Sequence, residues 1–352
     1  MKAYTMIAVV VAIVVGLGVY FAVSPVTTPT STVTTSPQIS NLKLGMMVTT
    51  DETDVGWSAM AVAAANYLKE RFGMKVEVSY YTAVADAPRI AEDFAARGFN
   101  IIWAHGGEYE DALLAVAAKY PNVYAVTFNA NKTPPANGVG FHTKMYEGAY
   151  LAGVLAGKMT KTNAIAYVAG EWYPWEAQDF GALRAGALSV NPNVKAYARA
   201  AGTWSDAALG RELVSSLRDV HNVDIVMQEA DVTGRGAISM CQEKGIYHIG
   251  TYLDQSVLAP DITLTSVLCS CSPLATMVVE NIAAGTFASA MGGKILGPGL
   301  AEGATGLASF HSFDSKIPSD VKALIESVKQ AIITGSIQVP SEYGTAPPPD
   351  PA

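Results

Sequence analysis

Cysteine is scarce: three residues in 352, Cys241, Cys269 and Cys271, too few for a disulfide scaffold. Charge is scarce too, at 15% of the chain, and it leans acidic: 31 Asp and Glu against 23 Lys and Arg, net −8. A nucleic-acid binder carries a basic patch, so that class is excluded. Only one uncharged run as long as a bilayer span is predominantly apolar, since seven of the 18 residues in the uncharged run 262–279 are Ser, Thr or Pro, which excludes a polytopic membrane protein. The motifs of common catalysts are missing as well. There is no His-Glu-x-x-His and no Gly-x-Ser-x-Gly, and the five histidines (105, 142, 221, 248, 311) lack metal-ligand spacing. Residues 153–158 (GVLAGK) lack the spacing of a phosphate loop and its Ser/Thr after Lys, and they read as helix packing. No catalytic residue, metal or cofactor is expected. What is abundant is apolar sequence, 50% of residues with mean hydropathy +0.24, which excludes disorder for most of the chain.

Part of that apolar content is the run 6–23, 18 residues without a charge. As a helix at about 1.5 Å per residue it nearly spans a hydrocarbon core of about 30 Å. It predicts a membrane anchor or, with Ala22-Val23-Ser24 as a loose cleavage site, a signal peptide. Either places the rest outside the cytoplasm. In 24–40, 13 of 17 residues are Ser, Thr or Pro, the composition of an extended stalk. The segment 339–352, with Pro347-Pro348-Pro349, reads as a disordered tail.

From residue 42 apolar runs alternate with helical patterns. Strands are predicted at 44–49, 75–80, 100–104 and 123–128, with helices at 56–72, 86–97 and 108–119 between them. A second series places helices at 145–159, 174–190, 206–218 and 234–244 among strands at 164–169, 194–200, 224–228 and 247–250. Such alternation predicts an α/β fold of parallel sheets covered by helices, here two doubly wound lobes. The first lobe takes 41–142 with part of 251–313, and the second 143–250 with part of 314–338. After Gly250 the pattern loosens. It suggests strands at 262–268 and 308–313, helices at 273–285 and 318–334, and a loop at Gly292-Gly293-Lys294.

Ligands of open α/β sheets bind beyond the carboxyl ends of the strands. The residues there are rich in aromatics and carboxylates, a combination suited to a flat ligand stacked between rings and gripped at its edge. In the first lobe they are Asp54, Gly56 and Trp57, then Glu108 and Tyr109, then Asn129. In the second they are Glu171 and Trp172, Trp204, Asp231, and Tyr252 with Asp254. Of Trp172, Tyr173 and Trp175, which flank a helix start, at least one should face the cleft. Trp103, inside a strand, reads as core, and Asp206 as a helix cap. Asp231 has the position of a cap that also reaches ligand. Asn131-Lys132-Thr133 is an N-glycosylation sequon. The cysteines leave open a metal, a disulfide from Cys241 to one of the pair, or buried free thiols.

Several stretches in combination, Gly56-Trp57-Ser58, Ala118-Lys119-Tyr120-Pro121, Tyr146-Glu147-Gly148-Ala149-Tyr150-Leu151-Ala152-Gly153, Asn191-Pro192, Thr203-Trp204-Ser205-Asp206 and Gly250 with Asp254-Gln255, resemble the basic membrane protein family. These are solute-binding proteins of ABC importers and include purine nucleoside receptors. The resemblance covers 42–287. It implies a fold like that of the type I periplasmic binding proteins, two lobes joined by crossing strands with a hinge, and a purine base sandwiched between aromatics at Trp57 and Trp204 with a polar residue near Asp231. In the nucleoside branch an Asp and a Lys hold the sugar. Tyr252 and Cys269 stand at those positions here, so those contacts do not carry over.

The reading is therefore a membrane-anchored or exported extracellular solute-binding protein. It takes a purine nucleoside or nucleobase, adenosine or adenine before other purines, and delivers it to an ABC permease as a monomer. The alternatives are a surface receptor for another small ligand, such as a sugar, and a nucleoside-processing enzyme.

Overall fold

In the strand Ile101–His105 the side chains of Ile101 and Trp103 enter one core, and those of Ile102 and Ala104 the opposite one. A strand covered on both faces reads as an unbroken apolar run, and the parallel pairing follows from it. The computed structural model describes residues 7–15, 18–26, 39–341 and 344–351. Residues 1–36 and 37–352 form two separate units.

In the smaller unit, Ile7–Val15 pairs antiparallel with Gly18–Val26, in register from Ile7 opposite Val26 to Val15 opposite Gly18. This departs from the helix expected over 6–23. Seven of the nine residues in Ile7–Val15 are Val or Ile, whose branched side chains favour strand over helix. No helix among the described residues is long and apolar enough to cross a membrane. Most of the expected stalk, 27–38, lies outside the described residues.

The larger unit holds two six-stranded sheets. The first runs in the order Lys294–Leu296, Gly138–Phe141, Tyr124–Phe128, Ile101–His105, Lys43–Met47, Lys75–Ser79, and every pair is parallel. The second runs Thr305–Leu307, Thr263–Cys269, Tyr247–Tyr252, Ile225–Glu229, Ala164–Ala169, Lys195–Ala200. It is parallel except for Thr305–Leu307. Helices cover both faces. In the first lobe Met60 and Leu68 of Trp57–Phe72 pack on one side, and Phe94 and Leu113 of Ala87–Ala96 and Glu110–Lys119 on the other. In the second, Met145–Met159 and Pro174–Val190 lie opposite Ala207–His221 and Asp231–Lys244. A Cβ built on Gly153 would stand 2.1 Å from the Leu183 carbonyl, so GVLAGK is the close crossing of two helices.

The chain passes between lobes after Phe141, after Cys269 and between Leu296 and Thr305. From 251–313, the first lobe receives Cys271–Ala283, which packs on Trp57–Phe72, and Lys294–Leu296, while Thr263–Cys269 and Thr305–Leu307 extend the second sheet. Ser319–Ile333 packs on Met145–Met159. Three expectations need correction. Residues 311–313 are a 3-10 turn rather than strand: Phe310 and Phe313 pack on the same core one turn apart, a spacing of three that suits a 3-10 turn and would put the two rings on opposite faces of a strand. Lys294–Leu296 is an edge strand where a loop was expected. The tail is docked on the second lobe, with Asp350 bound to Arg199 at 2.7 Å; a paired charge and a stiff proline run hold it there.

In both lobes the first strand lies between the second and the third, and the gap between first and third is the topological switch point. Loops 48–56 and 106–109 open there in the first lobe, and 170–173 and 230–231 in the second.

Candidate functional site

These four loops, with the ends of neighbouring strands, enclose a cleft of about 390 Å³. From the first lobe come Thr49, Trp57, Glu108 and Asn129; from the second, Trp204, Asp231 and Tyr252. Among the described residues no group of His, Cys, Asp or Glu is arranged to hold a metal ion. The three cysteines are free and buried.

Trp57 opens the helix Trp57–Phe72. Its indole N–H donates to the His105 carbonyl at 3.2 Å, and its ring lies 4.4 Å from the His105 imidazole and 5.5 Å from Phe128. Burial pushes His105 down to about 3, so the imidazole is a neutral platform under the indole. Asp54 does not line the cleft. Its carboxylate accepts from the N–H groups of Gly56, Ser58 and Ala59 at 2.9, 2.7 and 3.0 Å, so it caps the helix that presents Trp57. Gly56 does not line the cleft either; a Cβ there would stand 3.4 Å from the Asp231 carboxylate.

Glu108 lines the cleft, and burial raises its carboxyl. Tyr109 does not line it. It is 1% exposed, and its hydroxyl donates to the Thr82 carbonyl at 2.7 Å, which places it in the core. Asn129 adopts a left-handed conformation, φ 56°, at the cleft wall. Beside it the sequon residue Asn131 also lines the cleft, donating to the Asn129 carbonyl at 3.3 Å.

In the second lobe, Trp204 packs over Gly170. Glu171 and Trp172 stay out of the cleft. Trp172 turns onto Tyr167 and Phe180, and its indole donates to the Gly344 carbonyl. Tyr173 and Trp175 take the cleft position instead, ring centroids 4.9 Å apart. Asp206 is the expected cap, accepting from Leu209 N–H at 3.0 Å. Asp254 caps the turn Gln255–Val257 and pairs with His311 at 2.5 Å, away from the cleft.

Asp231 begins the helix Asp231–Lys244 with φ 46°, a conformation that strains a non-glycine residue. The carboxylate makes no hydrogen bond among the described residues. Burial, with Asp54 and Glu229 adding repulsion, raises it to about 6. An unpaired, half-buried acceptor at a cleft wall is costly unless a ligand satisfies it. Tyr252, φ 68°, sets its ring 5.9 Å from Trp57 and donates to Glu229 at 2.5 Å. Glu229 also accepts from Tyr167 at 2.5 Å. Burial raises Glu229, Asp179 and Glu176, the last to about 9. A side chamber of about 30 Å³, lined by Thr143, Gln178, Asp179, Glu229 and Cys269, opens off the same walls and has room for a water.

Two bonds join the lobes at the rim. Gln255 Nε2 donates to the Val55 carbonyl at 3.1 Å, and Arg235 donates to the Thr53 carbonyl.

Two doubly wound lobes, three crossings and an aromatic cleft at both switch points define a two-lobed solute-binding protein. The family model for PnrA-like ABC transporter substrate-binding proteins, Bmp, matches residues 41–342, and the chain belongs to this family. It is 30% identical over 299 residues to a purine-binding protein of Brucella abortus, covering 84% of this chain and 82% of the relative. It is also 30% identical over 308 residues to basic membrane protein A of Borreliella afzelii, covering 85% and 91%. A solved solute-binding protein from Conexibacter woesei superposes with TM-score 0.74 at 22% identity, covering 86% of this chain and all of the other. The family is one of substrate-binding proteins rather than enzymes, and membership implies a small-molecule ligand and a membrane permease as partner.

Proposed function

We propose that the protein binds a purine, adenosine or adenine before hypoxanthine-type ligands, between Trp57 and Trp204, and delivers it to an ABC permease at the outer face of the cell membrane. Residues 6–23 anchor it there or are removed on export. The observation that carries this reading is the placement of aromatic rings from both lobes around one cleft, with the unpaired Asp231 carboxylate among them. Base stacking on aromatic side chains contributes about 1–3 kcal/mol per base. A carboxylate only accepts hydrogen bonds, so Asp231 selects a ring edge carrying a donor, such as an exocyclic amine. The Brucella abortus relative, named for purine binding, supports the same ligand class.

Mass spectrometry of the small molecule released by denaturing the purified protein tests the reading. The expected mass is that of a purine base or nucleoside, with calorimetric binding of adenosine or adenine by the emptied protein. A sugar in the cleft, and no heat with either purine, would overturn it. Turnover of adenosine would favour an enzyme.

A further inference from the structure

The C-terminal segment is fastened to the second lobe at both ends. Near its start, Gln178 donates to the Ser341 carbonyl at 3.0 Å and Trp172 to the Gly344 carbonyl at 3.4 Å. At the far end Asp350 takes both amino groups of Arg199, at 2.7 and 3.0 Å, and faces His221 Nε2 at 3.2 Å. Arg199 also donates to the Ala198 carbonyl at 2.8 Å, which fixes its guanidinium. Between these ends Pro347 and Pro348 are half-buried. Proline has its φ already set, so a proline run loses little backbone freedom on docking. A two-pronged Arg–carboxylate pair adds geometric definition that a single contact lacks.

The fastening points coincide with the segments that carry the second lobe's cleft aromatics. Trp172 and Gln178 bracket Tyr173 and Trp175. Arg199 is the last residue but one of the strand Lys195–Ala200, five residues before Trp204. Tyr173 is 45% exposed, so packing alone holds its ring weakly. Trp172, three residues from Trp175, is turned inward onto Tyr167 and Phe180 while its indole N–H is taken up by the tail.

We propose that residues 344–350, with Ser341, form a strap that ties the 171–178 segment to the strand before Trp204 and so positions Tyr173, Trp175 and Trp204 around the ligand. Asp350 and Arg199 are positioning residues, since neither lines the cleft. The proposal rests on this cleft being the binding site.

Amide hydrogen exchange on the ligand-free full chain tests it, comparing the parent with Asp350→Ala, Arg199→Ala and the double variant. Exchange should rise at 171–178 and 201–206 in each variant and stay unchanged in the first-lobe helix Trp57–Phe72. The double variant should fall short of the sum of the singles, because both remove the Arg199–Asp350 pair. Calorimetry with adenosine should show binding weaker by up to about fivefold, the range of a partly exposed ion pair. Faster exchange confined to 344–351, or single effects that add, would overturn the strap. If the parent itself takes up no adenosine, the purine reading falls, and the exchange comparison still decides the strap.

Discussion

A Cβ built on Gly170 would stand 2.3 Å from Cε3 of Trp204 and 2.6 Å from its Cδ2, so the space a side chain would fill at 170 is filled by the indole. Gly170 directly follows the strand Ala164–Ala169 at the switch point of the second lobe, and its amide donates to the Glu229 carbonyl at 2.9 Å. The glycine is thus a backbone floor for the ring. Gly170→Ala should push Trp204 out of place, destabilising the protein by about 1–3 kcal/mol as overpacking does and weakening purine binding roughly tenfold or more. Calorimetry together with tryptophan fluorescence checks this; parental binding with an unchanged spectrum would show that the ring is free to move.

Asp231 ties binding to pH in two opposed ways. Its carboxyl is raised to about 6 from an ordinary 3.8. Its protonated form is therefore favoured by folding, and the stability it contributes is full below pH 3.8 and lost as pH rises through about 6. Asp231→Asn should raise the thermal midpoint at pH 8, by a free energy on the order of 1–3 kcal/mol, and give no gain at pH 4. Binding runs the other way. A donor edge needs the ionised acceptor, so parental affinity for adenosine should fall as pH drops through 6, and the Asn variant should lose that dependence. Thermal scans and titrations at pH 4, 6 and 8 measure both.

Gln255 links the lobes. Its Nε2 reaches the Val55 carbonyl, while its Oε1 accepts from Gln228 at 2.8 Å and from the Thr251 amide at 3.3 Å. Val55 stands two residues before Trp57, so the bond acts beside the indole that lines the cleft. Gln255→Ala should favour the open arrangement and speed release of bound adenosine by roughly tenfold, since a buried bond of this kind carries about 1–3 kcal/mol when its partner is left unpaired. Stopped-flow release and small-angle scattering test it. An unchanged release rate with the same compaction on binding would show that the bond does not latch the lobes.

Much of this architecture is legible in the residues because buried strands and amphipathic helices leave different periods. The helix Ala207–His221 shows such a period, with Gly210, Val214 and Leu217 on its buried face, whereas Pro174–Val190 announces itself by its first-turn proline, its buried face carrying Glu176 and Asp179 beside Phe180 and Leu183. The strand Gly138–Phe141 leaves no such mark, being four residues with two glycines. The site follows a rule of position, that ligands gather beyond strand ends, and the rule does not fix direction. Trp57 and Tyr109 both follow first-lobe strands, yet Tyr109 finds the Thr82 carbonyl and turns inward. Trp172 likewise turns to Tyr167 and Phe180 and leaves the cleft to Tyr173 and Trp175. Carboxylates after strands are as useful to local N–H groups as to a ligand, which is the fate of Asp54 and Asp254. Asn131 stands beyond the strand end and was legible only as a sequon. Its place in the cleft comes from the turn that follows Asn129.

The central claim is that Trp57 from one lobe and Trp204 from the other hold a purine between them. Isothermal calorimetry with adenosine on the parent, Trp57→Ala and Trp204→Ala tests it most directly. Stacking worth about 1–3 kcal/mol per base predicts that each variant binds roughly ten- to a hundredfold more weakly. If both variants bind adenosine with the parental affinity, the base does not lie between these rings.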